Sequence, residues 1–368
     1  MKPTSAQEAV LGFMLAQCQR LHNAALEQRR DAWRKQRKTI GLYEQQTQLT
    51  ELRSDNFSYG IMSAWILRSA LTRVDRAYKA FFRRVKDGEK PGFPRFKSHA
   101  TYKSFSFPTP VLKDAYLQIP SFGAVKLNLY RPLKGKVLEA RIKRDSQGKW
   151  WVGIVCDLGE APPKVSINSH VGIDVGLSHF ATLSDGSHEP NPRFYRESEE
   201  LIARRARALA RKKQRSNSRL RAKRLLSKAH TKVRNQRLNH ARHLAKRVCT
   251  QYDLISVEAL KIQGMGHGWF AKSVYDAAWG IFVACLNFKA EEAGKTVTAV
   301  EPRGTSQRCS RCHQVVKKTL WERVHKCATC GLVLDRDHNA ALNILALGLS
   351  AVSSNVGKPT LVAETPSG

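Results

Sequence analysis

Two pairs of cysteines in the last part of the sequence have the spacing of a metal site. Cys309 and Cys312 form the first pair and Cys327 and Cys330 the second, with 14 residues between the pairs. In a zinc ribbon, two tight turns present four thiolates to one tetrahedral Zn²⁺, which leaves no open position for catalysis. Redox pairs or core thiols are the alternatives, but this polar segment, rich in Lys and Arg, needs a crosslink to fold. The spacing therefore predicts a structural zinc site.

Three carboxylates elsewhere in the sequence are candidates for catalysis. Asp174 lies within the apolar run Val-Gly-Ile-Asp-Val-Gly-Leu, Glu258 ends the run Leu-Ile-Ser-Val, and Asp337 precedes a segment with helical spacing of apolar residues. An ionised acid in a core strand is unfavourable unless it is paired or binds a metal ion. Simpler roles remain open: Asp174 could accept turn hydrogen bonds near Gly176, and Asp337 could be the N-cap of a helix.

The elements that must carry these acids are predicted from the spacing of apolar side chains. Helical spacing indicates amphipathic helices, and short alternating runs bounded by Gly, Pro and Asn indicate strands. The predicted helices span residues 4–38, 59–86 and 274–293 and a segment from 337, and a helical hairpin spans 201–252. The predicted strands lie in residues 104–107, 115–119, 124–129, 137–142, 150–155, 171–177, 180–186, 252–260 and 296–302. The first five strands favour a small barrel or a curled sheet. Residues 264–268 are predicted to be a flexible loop.

The charge of the chain points to a polyanionic partner. The 368 residues are enough for two or three domains, 42% of them are hydrophobic, and the net charge is +33. Such a surplus favours nucleic acid as the partner. A membrane surface is the rival, but no run reaches the ~18 apolar residues of a spanning helix and no signal peptide opens the sequence. We therefore expect a cytoplasmic protein, associated with the nucleoid in a prokaryote.

The predicted helical hairpin is the strongest candidate for contact with nucleic acid. Residues 201–252 contain no acidic residue, whereas exposed helices normally mix both signs of charge. A solvated face is the plain alternative, but the absence of any acid favours contacts with backbone phosphates. The candidate residues are Arg211, Lys212, Lys213, Arg221, Lys228, Lys232 and Arg237.

The order of the predicted elements suits an RNase H-like α/β domain. A strand hairpin with Asp174 is followed by helices, a strand with Glu258, a helix, another strand, the cysteine-rich insertion and a helix with Asp337. In such a domain the separated carboxylates converge at the edge of the sheet and bind two Mg²⁺ ions, which prefer hard oxygen ligands. A metal pair of this kind activates water and stabilises the leaving oxygen of a phosphodiester.

The same motifs resemble the TnpB family, transposon-encoded relatives of the miniature type V CRISPR effectors. The resemblance covers nearly the whole chain. It is carried by Gly-Phe-Pro-Arg-Phe-Lys97, Gly-Ile-Asp174-Val-Gly-Leu, Val-Glu258-Ala-Leu, Thr-Ser-Gln-Arg-Cys309-Ser-Arg-Cys312, Cys327-Ala-Thr-Cys330-Gly and Asp335-Arg-Asp337-His-Asn339-Ala-Ala-Leu-Asn343-Ile. It implies a RuvC-like nuclease guided by a transposon-derived RNA, which cuts double-stranded DNA beside a short adjacent motif.

Site residues follow from the resemblance, position by position. Asp174, Glu258 and Asp337 match the catalytic acids that bind Mg²⁺, and the four cysteines match the zinc ligands. Asp335 lies two residues before the usual catalytic position of its motif and is not assigned. Family members usually open with a short β-strand before the Pro-Thr that is Pro3-Thr4 here, so we expect the barrel of this chain to be less complete.

The domain organisation is predicted from the boundaries above and the resemblance. It places α and β domains before an α/β, RuvC/RNase H-like nuclease domain with an inserted zinc ribbon. The predicted parts are a helical recognition domain (1–98), a wedge-like β-barrel (99–166), the first part of the nuclease domain (167–302) with the basic hairpin at 198–250, the zinc ribbon (303–334), the final part of the nuclease domain (335–350) and a disordered tail (351–368).

Other functions remain open at this point. The favoured one is an RNA-guided, Mg²⁺-dependent DNA endonuclease, because all three acids are present. A nuclease-dead, RNA-guided DNA-binding repressor would need only the basic faces. A strand-transfer transposase would use the same core with a 3′-hydroxyl as the nucleophile, but nothing in the sequence resembles a module that recognises terminal repeats. A basic RNA-binding structural protein would leave the acids unexplained.

Overall fold

The computed structural model describes residues 1–130, 132–259, 271–319 and 322–354. The chain divides into two compact units, Met1–Gly159 and Glu160–Gly368. Of the helices in the described residues, none is both long enough and apolar enough to cross a membrane. The predicted loop at 264–268 lies outside the described residues.

Helices open the first unit. They are α1 (Ser5–Gln36), α2 (Leu42–Asp55), α3 (Phe57–Gly60) and α4 (Ala64–Lys86). A capping box starts α1: the Thr4 hydroxyl accepts from Gln7 N, and the Gln7 side chain accepts from Thr4 N. The helix predicted at 4–38 is confirmed as α1. The one predicted at 59–86 starts later, at Ala64. Helix α2 was not predicted, because it buries only Gln45 and Leu49 and so lacks an apolar stripe.

Six strands follow in the first unit and form two antiparallel sheets. They are β1 (Ser104–Pro108), β2 (Val111–Lys113), β3 (Tyr116–Ile119), β4 (Gly123–Lys126), β5 (Lys136–Arg144) and β6 (Trp150–Asp157). Strands β1, β5 and β6 form one sheet, and β2, β3 and β4 form the other. The five predicted runs are confirmed as β1 and β3 to β6, whereas β2 was missed because it is short and mostly exposed. Side chains from both sheets share one core with the helices.

A mixed five-stranded sheet forms the centre of the second unit. Its strands are β7 (His170–Asp174), β8 (His179–Leu183), β9 (His188–Pro190), β10 (Leu254–Glu258) and β11 (Thr296–Val300). Their order is β11-β10-β7-β8-β9. Strands β7, β8 and β9 pair antiparallel, whereas β10 runs parallel to both β7 and β11. The predicted hairpin and the two later strands are thus confirmed.

Helices cover both faces of this sheet. They are α5 (Phe194–Ala210), α6 (Asn217–Gln251), α7 (Ala271–Ala277), α8 (Trp279–Glu292) and α9 (Arg336–Ser354). Val171 and Ile173 of β7 and Ile255 and Val257 of β10 share a core with α6 and α8. Because side chains alternate along a strand, the residues between them face the opposite side, where α9 packs. The predicted basic helical hairpin is confirmed as α5 and α6.

Two sequence predictions need correction in this unit. The helix predicted at 274–293 is two helices, because Ala278 adopts a left-handed conformation with φ 58° that interrupts it. The tail predicted to be disordered from 351 begins too early, since α9 continues to Ser354. Within this helix, Gly348 packs against Ser256 of β10. The Ser, Gly and Pro content of the last residues made the end of the helix resemble a linker. Residues 355–368 lie outside the described residues.

The predicted zinc ribbon holds a small hairpin. Strands β12 (Val324–Lys326) and β13 (Val333–Asp335) pair antiparallel, with Val324 opposite Asp335. An isolated bridge between Arg308 and Val315 closes the loop that carries the first cysteine pair. Strand β13 leads directly into α9, so the ribbon is joined to the start of that helix.

Candidate active site

The two strand-borne acids lie side by side at the carboxyl ends of parallel strands. Ile173 of β7 is in register with Val257 of β10, so Asp174 and Glu258 occupy the next position of each strand. By the alternation of side chains, both point to the sheet face that α9 covers. The predicted convergence of these two carboxylates therefore follows directly from the strand register.

Helix α9 lies directly against the backbone of the two strands. A Cβ on Gly172 would stand 2.1 Å from the Ala341 carbonyl oxygen, and a Cβ on Gly348 would stand 1.8 Å from Ser256 Oγ. Only glycine allows an approach this close. Asp337 lies in the first turn of α9, and a Cβ on Gly176, just after β7, would stand 3.7 Å from its Oδ2. The helix thus brings the third acid to the end of β7.

The N-terminal cap of α9 is Asp335, not Asp337. Asp335 Oδ1 accepts hydrogen bonds from Asp337 N at 2.8 Å and from His338 N at 3.1 Å. The cap role that the sequence left open for Asp337 is therefore wrong. The Asp337 carboxylate, only 7% exposed, instead pairs with Arg336 Nη2 at 3.1 Å and Arg323 Nη1 at 3.7 Å. Because Asp337 does not cap the helix, its carboxylate can act at the carboxyl ends of β7 and β10.

Asp174 is buried and lies near the charges of the other two acids. The pKa of Asp174 lies well above its ordinary value, because the carboxyl group is desolvated and because Glu258 and Asp337 repel its charge. Burial also raises the pKa of Glu258, although the Thr305 hydroxyl opposes this by donating a hydrogen bond. The positive charge of Arg336 opposes this rise in the pKa of Asp174 but does not cancel it. A cation would relieve this repulsion.

The sequence analysis missed several residues that hold the site together. Thr305 Oγ1 donates to Glu258 Oε1 at 2.5 Å, and Arg323 reaches Asp337 from the ribbon. The buried amides of Asn339 and Asn343 bind the backbone around Cys309. The spacing of these asparagines was a usable signal, since positions four residues apart share one face of a helix.

The four predicted zinc ligands come together in the ribbon. Their Sγ atoms all lie within 4.8 Å of one another, with Cys309 and Cys330 3.6 Å apart and Cys312 and Cys327 3.5 Å apart. A tetrahedral Zn²⁺ with bonds of about 2.3 Å needs sulfur atoms about 3.8 Å apart. The N–H of Cys330 donates to the thiol of Cys327 and, with other nearby donors, lowers the pKa of Cys327 to about 6. The donor set therefore fits zinc.

Six of the seven basic candidates on the helical hairpin are exposed, and the seventh is engaged. The exposed ones are Arg211, Lys212, Lys213, Arg221, Lys228 and Lys232. Arg237 is partly buried, and its Nη2 lies 2.7 Å from Asp276 Oδ1, whose side chain is 3% exposed. Asp276 also accepts hydrogen bonds from the backbone of Tyr195 and Arg196 at the start of α5. Arg237 thus has a structural partner within the protein.

A cavity with three arginines lies in the second unit. It has a volume of about 490 Å³, and its lining includes Arg193, Arg196 and Arg323 together with the carboxylate of Asp276. Arg323 also contacts Asp337. Positive charge in a concave site favours anionic ligands such as phosphates.

Two family models match segments between residues 153 and 344. Residues 153–267 match OrfB_IS605, described as "Probable transposase". Residues 279–344 match the TNB domain of Cas12f1-like proteins. The first segment contains Asp174 and Glu258, and the second contains the four cysteines and Asp337.

Relatives match over nearly the full length. A protein of Streptomyces pristinaespiralis named "Putative RNA-guided DNA endonuclease" is 27% identical, over 96% of this chain and 89% of that protein. "Putative RNA-guided DNA endonuclease InsQ" of Escherichia coli K12 is 28% identical, over 95% of this chain and 90% of that protein. The "CRISPR-associated endodeoxyribonuclease Cas12f1" of Sulfoacidibacillus thermotolerans is 43% identical over a shorter stretch, 16% of this chain and 14% of that protein.

A solved structure shares the fold. The Cas12f1 chain in a cryo-EM structure of a Cas12f1–sgRNA–target DNA complex aligns with a TM-score of 0.60 at 14% identity. The alignment covers 93% of this chain and 83% of that chain. Together, the family models and the relatives bear out the resemblance to the TnpB family that the sequence motifs indicate, and the solved structure shows that the fold is shared.

Proposed function

We propose that this protein is an RNA-guided, Mg²⁺-dependent DNA endonuclease encoded by a transposable element. The observation that carries the proposal is the placement of Asp174, Glu258 and Asp337 near the carboxyl ends of β7 and β10, where Glu258 and Asp337 repel the charge of Asp174. Buried carboxylates gathered in this way are typical of a cation site. Proteins named as RNA-guided DNA endonucleases match nearly the whole chain.

The three acids are the proposed ligands of the catalytic metal. Their oxygen atoms suit Mg²⁺, whereas the four thiols of the ribbon suit Zn²⁺. When bound, a pair of Mg²⁺ ions supplies an activated water and stabilises the leaving oxygen of a phosphodiester. The protein contributes the fixed positions of its acids, through the β7–β10 register and the close packing of α9. Arg336 and Arg323 hold the Asp337 carboxylate at this edge.

The basic surface supports a guide RNA and target double-stranded DNA as the partners. The net charge is +33, and six exposed Lys and Arg side chains lie on α6 and in the turn between α5 and α6. Phosphate contacts of this kind give affinity without sequence recognition. Sequence would then be specified by pairing with the guide, as in RNA-guided effectors. A protein with this function would act in the cytoplasm, at the nucleoid, where its target DNA lies.

The first unit is the proposed recognition region. In the predicted organisation, residues 1–98 form the recognition lobe and residues 99–166 form the wedge-like barrel, which would contact the guide and the short motif adjacent to the target. The two antiparallel sheets and the helices that share their core supply the elements for these roles.

The test is to purify the protein together with RNA transcribed from its own locus. The RNA that copurifies is sequenced, and the complex is given a library of DNA targets with randomised flanks in the presence of Mg²⁺. We expect cleavage only of targets that match the guide and lie beside one flank motif. Guided binding without cleavage would instead favour a nuclease-dead repressor. Joining of a DNA 3′ end to a new target strand, without dependence on RNA, would favour a strand-transfer transposase.

A further inference from the structure

The segment between β11 and the first cysteine pair is fixed to Glu258 by one side chain. Thr305 is 5% exposed, and its Oγ1 donates to Glu258 Oε1 at 2.5 Å. The Pro302 carbonyl oxygen, 3.1 Å from the same hydroxyl, is the competing acceptor. One hydroxyl has one proton to donate, and an ionised carboxylate accepts it in a shorter and stronger bond. The hydroxyl is therefore assigned to Glu258.

The backbone of the same residue is held by helix α9. Asn343 Nδ2 donates to the Thr305 carbonyl oxygen at 2.8 Å and to the Arg308 carbonyl oxygen at 2.7 Å. Asn339 Nδ2 donates to the Arg308 carbonyl oxygen at 2.8 Å, and Asn339 Oδ1 accepts from Ser310 N at 3.0 Å. Both asparagines are at most 5% exposed. They hold the backbone on both sides of Cys309 against the helix that presents Asp337.

We propose that Thr305 is a positioning residue for the metal site, and that Asn339 and Asn343 keep it in place. The hydroxyl fixes one oxygen of the Glu258 carboxylate and leaves the other oxygen to face the remaining acids. Without this bond, a glutamate side chain at the end of a strand has several accessible rotamers. The inference rests on the proposed function, since it assumes that Glu258 binds the catalytic metal.

This arrangement also links the two predicted metal sites. Thr305 lies four residues before the first zinc ligand, Cys309, and shares its asparagine contacts with that turn. Groups that orient a metal ligand commonly contribute 10–100-fold to metal affinity or activity. Through Asn343 of α9, the first turn of the zinc ribbon and the residue that orients Glu258 are thus held by the same side chain.

The experiment compares Thr305→Val, which removes the hydroxyl at nearly constant volume, with Thr305→Ser, which keeps it. Thr319→Val is the matched control. The Thr319 hydroxyl, like that of Thr305, donates a hydrogen bond to a glutamate, in this case Glu322 Oε1 at 3.1 Å, but Thr319 is exposed. The full-length protein is titrated with Mn²⁺ and binding is measured by electron paramagnetic resonance. Zinc content and melting temperature are recorded for every variant.

We expect Thr305→Val to weaken Mn²⁺ binding about tenfold and to raise the Mg²⁺ concentration for half-maximal cleavage by a similar factor. Zinc content should not change, Thr305→Ser should restore binding, and Thr319→Val should match the wild type. Wild-type Mn²⁺ affinity in Thr305→Val, or equal loss in Thr305→Val and Thr305→Ser, would overturn the inference. If Thr305→Val loses zinc, Thr305→Ala replaces it under the same criteria.

The Mn²⁺ titration needs neither guide nor DNA, so it separates this inference from the proposed function. A wild-type protein that binds Mn²⁺ through Glu258 but cuts no guided target would contradict the proposed function and leave the titration decisive for Thr305. A wild-type protein that binds no Mn²⁺ at this site would contradict the inference.

Discussion

Gly172→Ala is the substitution that most sharply tests how the site is built. The new Cβ would stand 2.1 Å from the Ala341 carbonyl oxygen and 2.6 Å from Leu345 N, both on the backbone of α9. Backbone atoms cannot rotate away as a side chain can. To restore an ordinary contact, the helix must move by roughly 1 Å, which carries Asp337 away from the two strands.

The magnitude of the effect follows from this displacement. Overpacking of this kind costs about 1–3 kcal/mol of the free energy of unfolding, and each kcal/mol lowers the melting temperature of a domain of this size by roughly 2–4 °C. A misplacement of about 1 Å at a catalytic group lowers the rate by about 10²-fold. We therefore expect cleavage to fall far more than the small loss of folded protein at the assay temperature can explain.

The assay measures single-turnover cleavage of a guide-matched target, together with the melting temperature and the affinity for guide RNA. Gly153→Ala is the control, because Gly153 also lies in a strand but a Cβ there meets nothing within 4 Å. This control should cut at the wild-type rate. A Gly172→Ala protein with wild-type cleavage and stability would refute the conclusion that the close packing of α9 positions Asp337.

Three further predictions address charge and metal. Asp174→Asn should raise the melting temperature of the Mg²⁺-free protein at pH 7, because the raised pKa of Asp174 means that its charge destabilises the fold. This destabilisation is absent below the unfolded-state pKa of about 3.8 and complete above the folded-state pKa. Equal melting temperatures of the variant and the wild type at pH 7 would contradict the prediction. Cys327→Ser should lose zinc and melt at a lower temperature, measured by elemental analysis and calorimetry, and full zinc content would exclude the proposed ligand set. Arg237→Ala should cost about 3–5 kcal/mol of stability, because buried Asp276 loses its cationic partner and keeps only its backbone hydrogen bonds. Lys212→Ala should leave stability unchanged and reduce the salt dependence of RNA binding by about one phosphate contact. Similar melting curves for the two variants would show that Arg237 is not structural.

Patterns that a few residues define were predictable from the sequence. The cysteine spacing predicted the ribbon, because the geometry of a tetrahedral site restricts the chain on both sides of each turn. The acids Asp174 and Glu258 were recognisable because a charge at the end of an apolar run is unfavourable without a partner. Their adjacency could not be deduced from either run alone, since it depends on the parallel register of β7 and β10.

Contacts between distant segments were not predictable from local pattern. The sequence left Asp337 open as a cap, and only the hydrogen bonds accepted by Asp335 Oδ1 show that Asp335 has this role. The role of Thr305 depends on a contact with Glu258, 47 residues away. The contact of Gly348 with Ser256 could not be predicted either, because composition does not show that the two residues lie side by side. In each case the deciding atom belongs to another element of the fold.

The architecture of the first unit was only partly predictable. Alternation along the strands gave five of the six, but a small barrel and two separate sheets have the same alternating pattern. Which strands pair depends on the packing of both sheets against the helical core, where Phe105 and Leu117 are fully buried.

The central claim is that Asp174, Glu258 and Asp337 together form the metal site that cuts guided DNA. The most direct measurement is the cleavage of a guide-matched target in Mg²⁺ by the wild type and by Asp174→Ala, Glu258→Ala and Asp337→Ala, with guide RNA binding measured in parallel. We predict that each substitution abolishes cleavage while RNA binding stays within about twofold of the wild type, because none of them removes a basic residue. Cleavage that survives any one of these substitutions would place the catalytic centre elsewhere in the chain.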